Sequence, residues 1–133
     1  MIVHLPVRVL ACYAEPPCEI ALAIRRADPG ATVAWIEGLL DLEALSPGRQ
    51  AVLDLVILED VCLGGLPQIC AESLVDRLAP VPLYIYTRIP DADYASAYLD
   101  VGCTGVLRSD SMAAQIDAAL TVARIRRLTP AAA

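Results

Sequence analysis

The amino-acid sequence predicts a three-layer α/β sandwich, with a five-stranded parallel sheet covered by five helices. Three observations carry this expectation. Short apolar runs alternate with amphipathic stretches along the whole chain. The run Leu53-Asp54-Leu55-Val56-Ile57-Leu58 is nearly unbroken in apolar character, as for a strand buried on both faces. It ends in Glu59-Asp60 and the turn-prone Leu63-Gly64-Gly65-Leu66-Pro67, so two carboxylates fall at the carboxyl end of a central strand. Ligands of parallel sheets collect at that edge.

The elements follow in order. Val7 to Cys12 is rich in β-formers and is followed by Pro16-Pro17. Cys18 to Ala27 has helical periodicity, with Ile20, Ala21, Ile24 and Ala27 on one face, and Asp28-Pro29-Gly30 stops it. Thr32 to Ile36 is the second strand. Leu39 to Leu45 is a short helix closed by Ser46-Pro47-Gly48. Leu53 to Leu58 is the third strand, and a helix runs from Pro67 to Leu78 before Pro80. Pro82 to Thr87 is the fourth strand, in which Tyr84 and Tyr86 are expected under helices. Pro90-Asp91 opens a helix through Leu99, ended by Gly102. Gly105 to Arg108 is the fifth strand. Ser109, Asp110 or Ser111 caps a last helix with Met112, Ile116, Ala119, Leu120 and Ala123 inward. Strand–helix alternation of this kind implies right-handed crossovers and a flavodoxin-like sandwich.

Composition narrows the function. The 133 residues are one domain's worth, with a core expected over about residues 6–128. The chain is 57% hydrophobic but has no Phe, so the core is aliphatic. A net charge of −6 argues against direct nucleic-acid binding. Five cysteines without a C-x-x-C pair read as small apolar residues of a reduced, cytoplasmic protein. The apolar start is broken by His4, Pro6 and Arg8, and no run is long enough to span a membrane. The chain has no lysine, which removes Schiff-base chemistry and a Walker lysine. Tyr13-Ala14-Glu15-Pro16-Pro17 stands where a glycine-rich phosphate loop would follow the first strand, and with a single His, at the chain start, no Cys–His or Ser–His arrangement is expected. The chain is therefore expected not to be an enzyme and to need no cofactor or metal.

Four segments together resemble the receiver domains of response regulators: Val7-Arg8-Val9-Leu10-Ala11, Asp54 to Leu58, Tyr86-Thr87, and Gly102-Cys103-Thr104-Gly105-Val106-Leu107. The last is similar to a segment of receivers that precede helix-turn-helix output domains. The resemblance implies that Glu59 occupies the phosphoacceptor position, normally an aspartate. The paired acids that hold Mg²⁺ correspond to Tyr13 and Ala14, with Glu15 one residue further on. The hydroxyl after the fourth strand is kept as Thr87, followed by Arg88 in place of a small residue. The lysine position falls on Ser109, or on Arg108 if the strand slips by one, and the aromatic switch position on Val106.

The resemblance thus implies a degenerate pocket of Tyr13, Ala14, Glu15, Asp60, Thr87, Arg88 and Ser109 around Glu59, in a pseudo-receiver working without phosphorylation. It implies a protein partner or output domain, and a homodimer is an option. Two ordinary accounts stand beside it. Glu59 and Asp60 are strand-end carboxylates bonded to backbone N–H groups, or Glu59 pairs with Arg88 and locks the switch. Arg124, Arg126 and Arg127 either suit the last helix's dipole or contact a partner. A small-ligand sensor using the vacated strand-end pocket is the alternative function.

Overall fold

A computed structural model describes residues 7–13, 18–37, 39–89 and 91–128, with side chains placed for all of these but 13, 18, 127 and 128. Its elements are β1 (Arg8–Tyr13), α1 (Cys18–Ala27), β2 (Thr32–Glu37), α2 (Leu39–Glu43), α3 (Pro47–Ala51), β3 (Leu55–Glu59), α4 (Pro67–Leu78), β4 (Leu83–Thr87), α5 (Ala92–Asp100), β5 (Gly105–Arg108) and α6 (Met112–Leu128). Single 3₁₀ turns, Asp60–Leu63 and Ser109–Ser111, follow β3 and β5. The sheet is parallel throughout, in the order β2-β1-β3-β4-β5. Chain order reverses direction between β1 and β3, so the carboxyl ends of those two strands flank a crevice.

Period-two alternation splits the strands between two apolar layers. Val9, Ala11, Leu55, Ile57, Tyr84, Tyr86 and Leu107 meet Ile20, Ala23 and Ile24 of α1 and the α6 stripe Met112, Ile116, Ala119, Leu120 and Ala123. On the other face Leu10, Cys12, Val56, Leu58, Leu83 and Ile85 meet Leu42, Ala71, Leu74, Leu78 and Tyr98. β3 is buried at all five positions. Each fully buried Leu or Ile there contributes about 1.5–3 kcal/mol. The inward stripe expected for the last helix is the one observed, and Tyr84 and Tyr86 lie under helices as expected. In α1 the stripe is shifted: Ala23 is buried while Ala21 is only half-buried.

Among the described residues six helices form where five were expected. Ser46 does not close a helix but opens one: its hydroxyl accepts the Arg49 N–H at 3.3 Å, and Pro47 at the first helical position lacks the donor that would go unsatisfied. The expected helix over Leu39–Leu45 therefore ends at Glu43, and α3 follows it. The third strand starts two residues later than expected. Asp54 faces β1 from the strand entrance, accepting the Arg8 N–H at 2.9 Å on its carboxylate. α1 and α4 have the boundaries read from the sequence.

Three side chains seal the margins. Gln115 of α6 accepts the Arg108 N–H at 2.7 Å and donates to the Val106 carbonyl at 3.0 Å, standing in for a missing neighbour along edge strand β5. Arg124 reaches Asp28 past the end of α1 at 3.0 Å, and Arg126 lies 3.5 Å from the Asp54 carbonyl. These two arginines thus tie α6 to its own domain. The side chain of Arg127 lies outside the described residues, as does all of His4.

Candidate functional site

The carboxyl edge of β3 and β4 brings the sequence's candidates together but divides them between the two faces. Glu59 is in register with Tyr86, so both side chains lie on the α1/α6 face. Thr87, one residue on, points to the α5 face. Asp60 begins the 3₁₀ turn and turns to that same face. Glu59, Asp60 and Thr87 are all buried.

On the α5 face Asp60 gathers a buried hydroxyl network. Its Oδ2 accepts from Thr87 Oγ1 at 2.8 Å and from the Tyr94 hydroxyl at 2.8 Å. Thr87 Oγ1 in turn accepts the Ile89 N–H at 3.0 Å. With its proton committed to Asp60, the Tyr94 oxygen accepts from the Tyr98 hydroxyl, 2.8 Å away. The two rings meet edge to face, 5.3 Å between centroids at 89°. Burial, then the bond to Tyr98 and the bond and charge of Asp60, push the Tyr94 hydroxyl well above its ordinary range. Burial raises Tyr98 as well. Both phenols therefore stay protonated donors. The local cause is sequence spacing: Tyr94 and Tyr98 are four residues apart on α5, whose N-cap Asp91 accepts the Asp93 and Tyr94 N–H groups.

On the other face the Tyr86 hydroxyl donates to Glu19 of α1. Arg88 Nε donates to that hydroxyl at 3.4 Å, with its guanidinium carbon 6.0 Å from the Tyr86 ring centroid. Arg88 is thus engaged by Tyr86, not by Glu59, and the expected Glu59–Arg88 ion pair is not among the ion pairs of the described residues. The register explains this. Tyr86 sits beside Glu59, while Arg88 lies two residues beyond, past the end of β4.

The remaining candidates are more dispersed. Tyr13 ends β1 opposite Glu37, with its side chain outside the described residues; Ala14 and Glu15 lie outside them altogether. Ser109 is exposed in its 3₁₀ turn, beside a groove between α1 and α6 of about 400 Å³ that Glu19, Leu22 and Asp117 also line. Arg108 turns outward to Asp110 at 3.6 Å. Among the described residues no cluster of three or more His, Cys, Asp or Glu is arranged to hold a metal ion. Sequence reasoning missed Glu19 and the Tyr94–Tyr98 pair as site residues. The i, i+4 spacing of the two tyrosines was the available signal, but only the fold shows that they face Asp60.

No protein-family model and no curated protein sequence matches the chain. Solved structures do. A pilus assembly-related protein of Burkholderia pseudomallei superposes with a TM-score of 0.73 at 17% identity, over 95% of this chain and 96% of that one. The signal receiver domain of a DNA-binding response regulator of Colwellia psychrerythraea gives 0.65 at 12% identity, over 91% and 98%. An atypical orphan response regulator with a phosphorylation-independent regulatory mechanism gives 0.64 at 18% identity, over 86% and 96%. The order of the strands, the helices on both faces and these superpositions agree: the chain has the flavodoxin-like fold of response-regulator receiver domains.

Proposed function

We propose that this domain is a receiver-like signalling module that acts by protein–protein contact, without phosphorylation. One observation carries the reading: the hydroxyl of Thr87, which in a working receiver answers to a phosphoryl group, is bonded within the chain to Asp60. Asp60 is in turn held by Tyr94, so a buried network occupies the place where a switch would move. The sequence supports the same reading. Glu59 replaces the aspartate acceptor, Tyr13 and Ala14 replace both metal-holding acids, and no lysine is available to sense phosphate. A phosphorylation-independent structural neighbour and a pilus assembly-related one are compatible settings for such a module.

The contact surface we favour is the groove of about 490 Å³ between α5 and α6 over β5, lined by Ala95, Leu99, Val106, Ala118 and Val122. Its alanines allow close approach, while Leu99 and Val122 stay about half exposed. A small-ligand sensor is the weaker reading, because Asp60 Oδ2 is already bonded within the chain to Thr87 and Tyr94. The test is incubation with acetyl phosphate and with beryllofluoride in the presence of Mg²⁺, followed by intact mass and amide NMR shifts. The expected outcome is an unmodified chain with unmoved resonances. A stoichiometric adduct on Glu59 or Asp60 overturns the proposal.

A further inference from the structure

The amino edge of the sheet, opposite the Asp60 network, holds a cavity of about 590 Å³ between α3, the end of α4 and the end of α6. Leu45, Pro47, Pro80 and Val81 give it apolar walls, and Arg77 and Arg126 also line it. One wall exists only because Ser46-Pro47 opens α3, the helix that the sequence did not announce. Gln50 of α3 donates through Nε2 to the Arg77 carbonyl at 3.1 Å and fastens that wall to the end of α4.

Both arginines are positioned by carbonyl groups. Arg77 donates to the Glu43 carbonyl at the end of α2, and Arg126 Nη1 lies 3.5 Å from the Asp54 carbonyl before β3. A carbonyl orients a guanidinium without cancelling its charge, and most of the N–H donors of the fork are left over. Among the described residues no carboxylate lines the cavity, and neither arginine belongs to an ion pair. The acids around it are turned to other tasks: Asp54 accepts the Arg8 N–H on its carboxylate, and Asp28 holds Arg124. Arg8 and Arg49 line a second cavity of about 260 Å³ that shares Leu45, so the same edge gathers further positive charge. In a chain of net charge −6 this is a local reversal of sign, and a cleft lined by one sign concentrates the opposite ion.

We infer that this cavity binds a small organic oxyanion, an apolar body carrying a carboxylate or phosphate head. Arg77 and Arg126 grip the head, since guanidinium forks match both groups through paired N–H donors. Leu45, Pro47, Pro80 and Val81 cover the body. The volume lies within the roughly 300–1,000 Å³ typical of small-molecule sites. Both halves of the ligand are needed. A head alone, as in acetate or acetyl phosphate, leaves the apolar walls uncovered, and a neutral body offers the two cations no counter-charge. The site is separate from the carboxyl edge on which the receiver-like reading rests, and a bound ligand would fasten α3 and α4 to the end of α6.

The experiment titrates the full chain with phenylbutyrate and with phenyl phosphate, which separate the two heads, and follows amide NMR shifts. Acetate supplies the head alone and phenylbutanol the body alone. The expected result is saturable shifts confined to residues 45–51, 77–81 and the turn around 126 with at least one of the two oxyanions, and none with either control. Arg77→Gln and Arg126→Gln should each weaken binding by about tenfold or more, as for loss of a charge-assisted bond. Arg77 is exposed, so its variant tests the grip without disturbing the core. Arg25→Gln, the same charge change on the exposed face of α1, should bind as the parent does. The inference is overturned by shifts that never saturate, by equal weakening in Arg25→Gln, or by phenylbutanol binding as tightly as phenylbutyrate. The phosphodonor test is read at Glu59 and Asp60, so neither outcome here decides it.

Discussion

Asp60 carries two hydroxyl protons on a single oxygen, and each lost donor leaves a buried carboxylate short of a partner. Thr87→Val should therefore destabilise the fold by about 1–3 kcal/mol, and Tyr94→Phe by a similar amount, since it also leaves the Tyr98 hydroxyl without its acceptor. Their double mutant, read as a cycle in denaturant unfolding, should show coupling of at least about 0.5 kcal/mol because both act through one oxygen. The Glu59→Gln and Arg88→Gln cycle should instead show coupling near zero, because Arg88 is engaged by Tyr86. pH adds a second readout at this scale. Tyr94, Tyr98, Cys62 and Cys103 all have raised pKa values from burial, with Cys103 pushed from 9.0 up to about 11. Above pH 9.0 the folded chain holds protons that the unfolded chain has released, so stability must fall as pH rises. Unfolding midpoints should be flat near neutrality and decline above about pH 9, less steeply in Cys103→Ala.

At the scale of elements, close approach sets the tolerances. A Cβ at Gly105 would stand 2.7 Å from Cε1 of the buried Tyr84 ring, its in-register neighbour on β4. Gly105→Ala should cost about 1–3 kcal/mol by thermal or denaturant unfolding, as for other overpacked cores. Periodicity and punctuation made most elements legible beforehand. Helices with a clear apolar stripe and a Pro or Gly at the boundary, such as α1 and α4, were readable to the residue. The stretch from Leu39 to Val52 was not, because Ser-Pro-Gly serves equally as a stop signal and as a cap with Pro at the first helical position. Nor does sequence show that Gln115 would complete the β5 edge, since a single amide on a helix gives no local signal of the strand it meets.

Across the whole molecule, the sheet order follows from the strand pattern, whereas the division of the site between two faces does not. Glu59 and Asp60 are adjacent in sequence, yet one follows Ile57 and Tyr86 towards α1 and the other turns with Thr87 towards α5. That one-residue switch broke the expected Glu59–Arg88 pair and built the Asp60 network, and only strand register reveals it.

Two parts of the last helix point outward with apolar side chains: Val122 at 47% exposure, on the groove over β5, and Ile125 at 57%. They are not needed for the core, whose α6 stripe is Met112, Ile116, Ala119, Leu120 and Ala123. Charging both positions should therefore leave unfolding within about 0.5 kcal/mol of the parent. If this face mediates contact between copies or with an output domain, light scattering across a dilution series should show self-association in the parent. The Val122→Glu, Ile125→Glu double variant should then remain monomeric, because burying two carboxylates opposite an apolar face has no compensating partner. A parent that stays monomeric at high concentration, together with a variant that keeps every partner recovered by the parent, removes α6 as the contact surface.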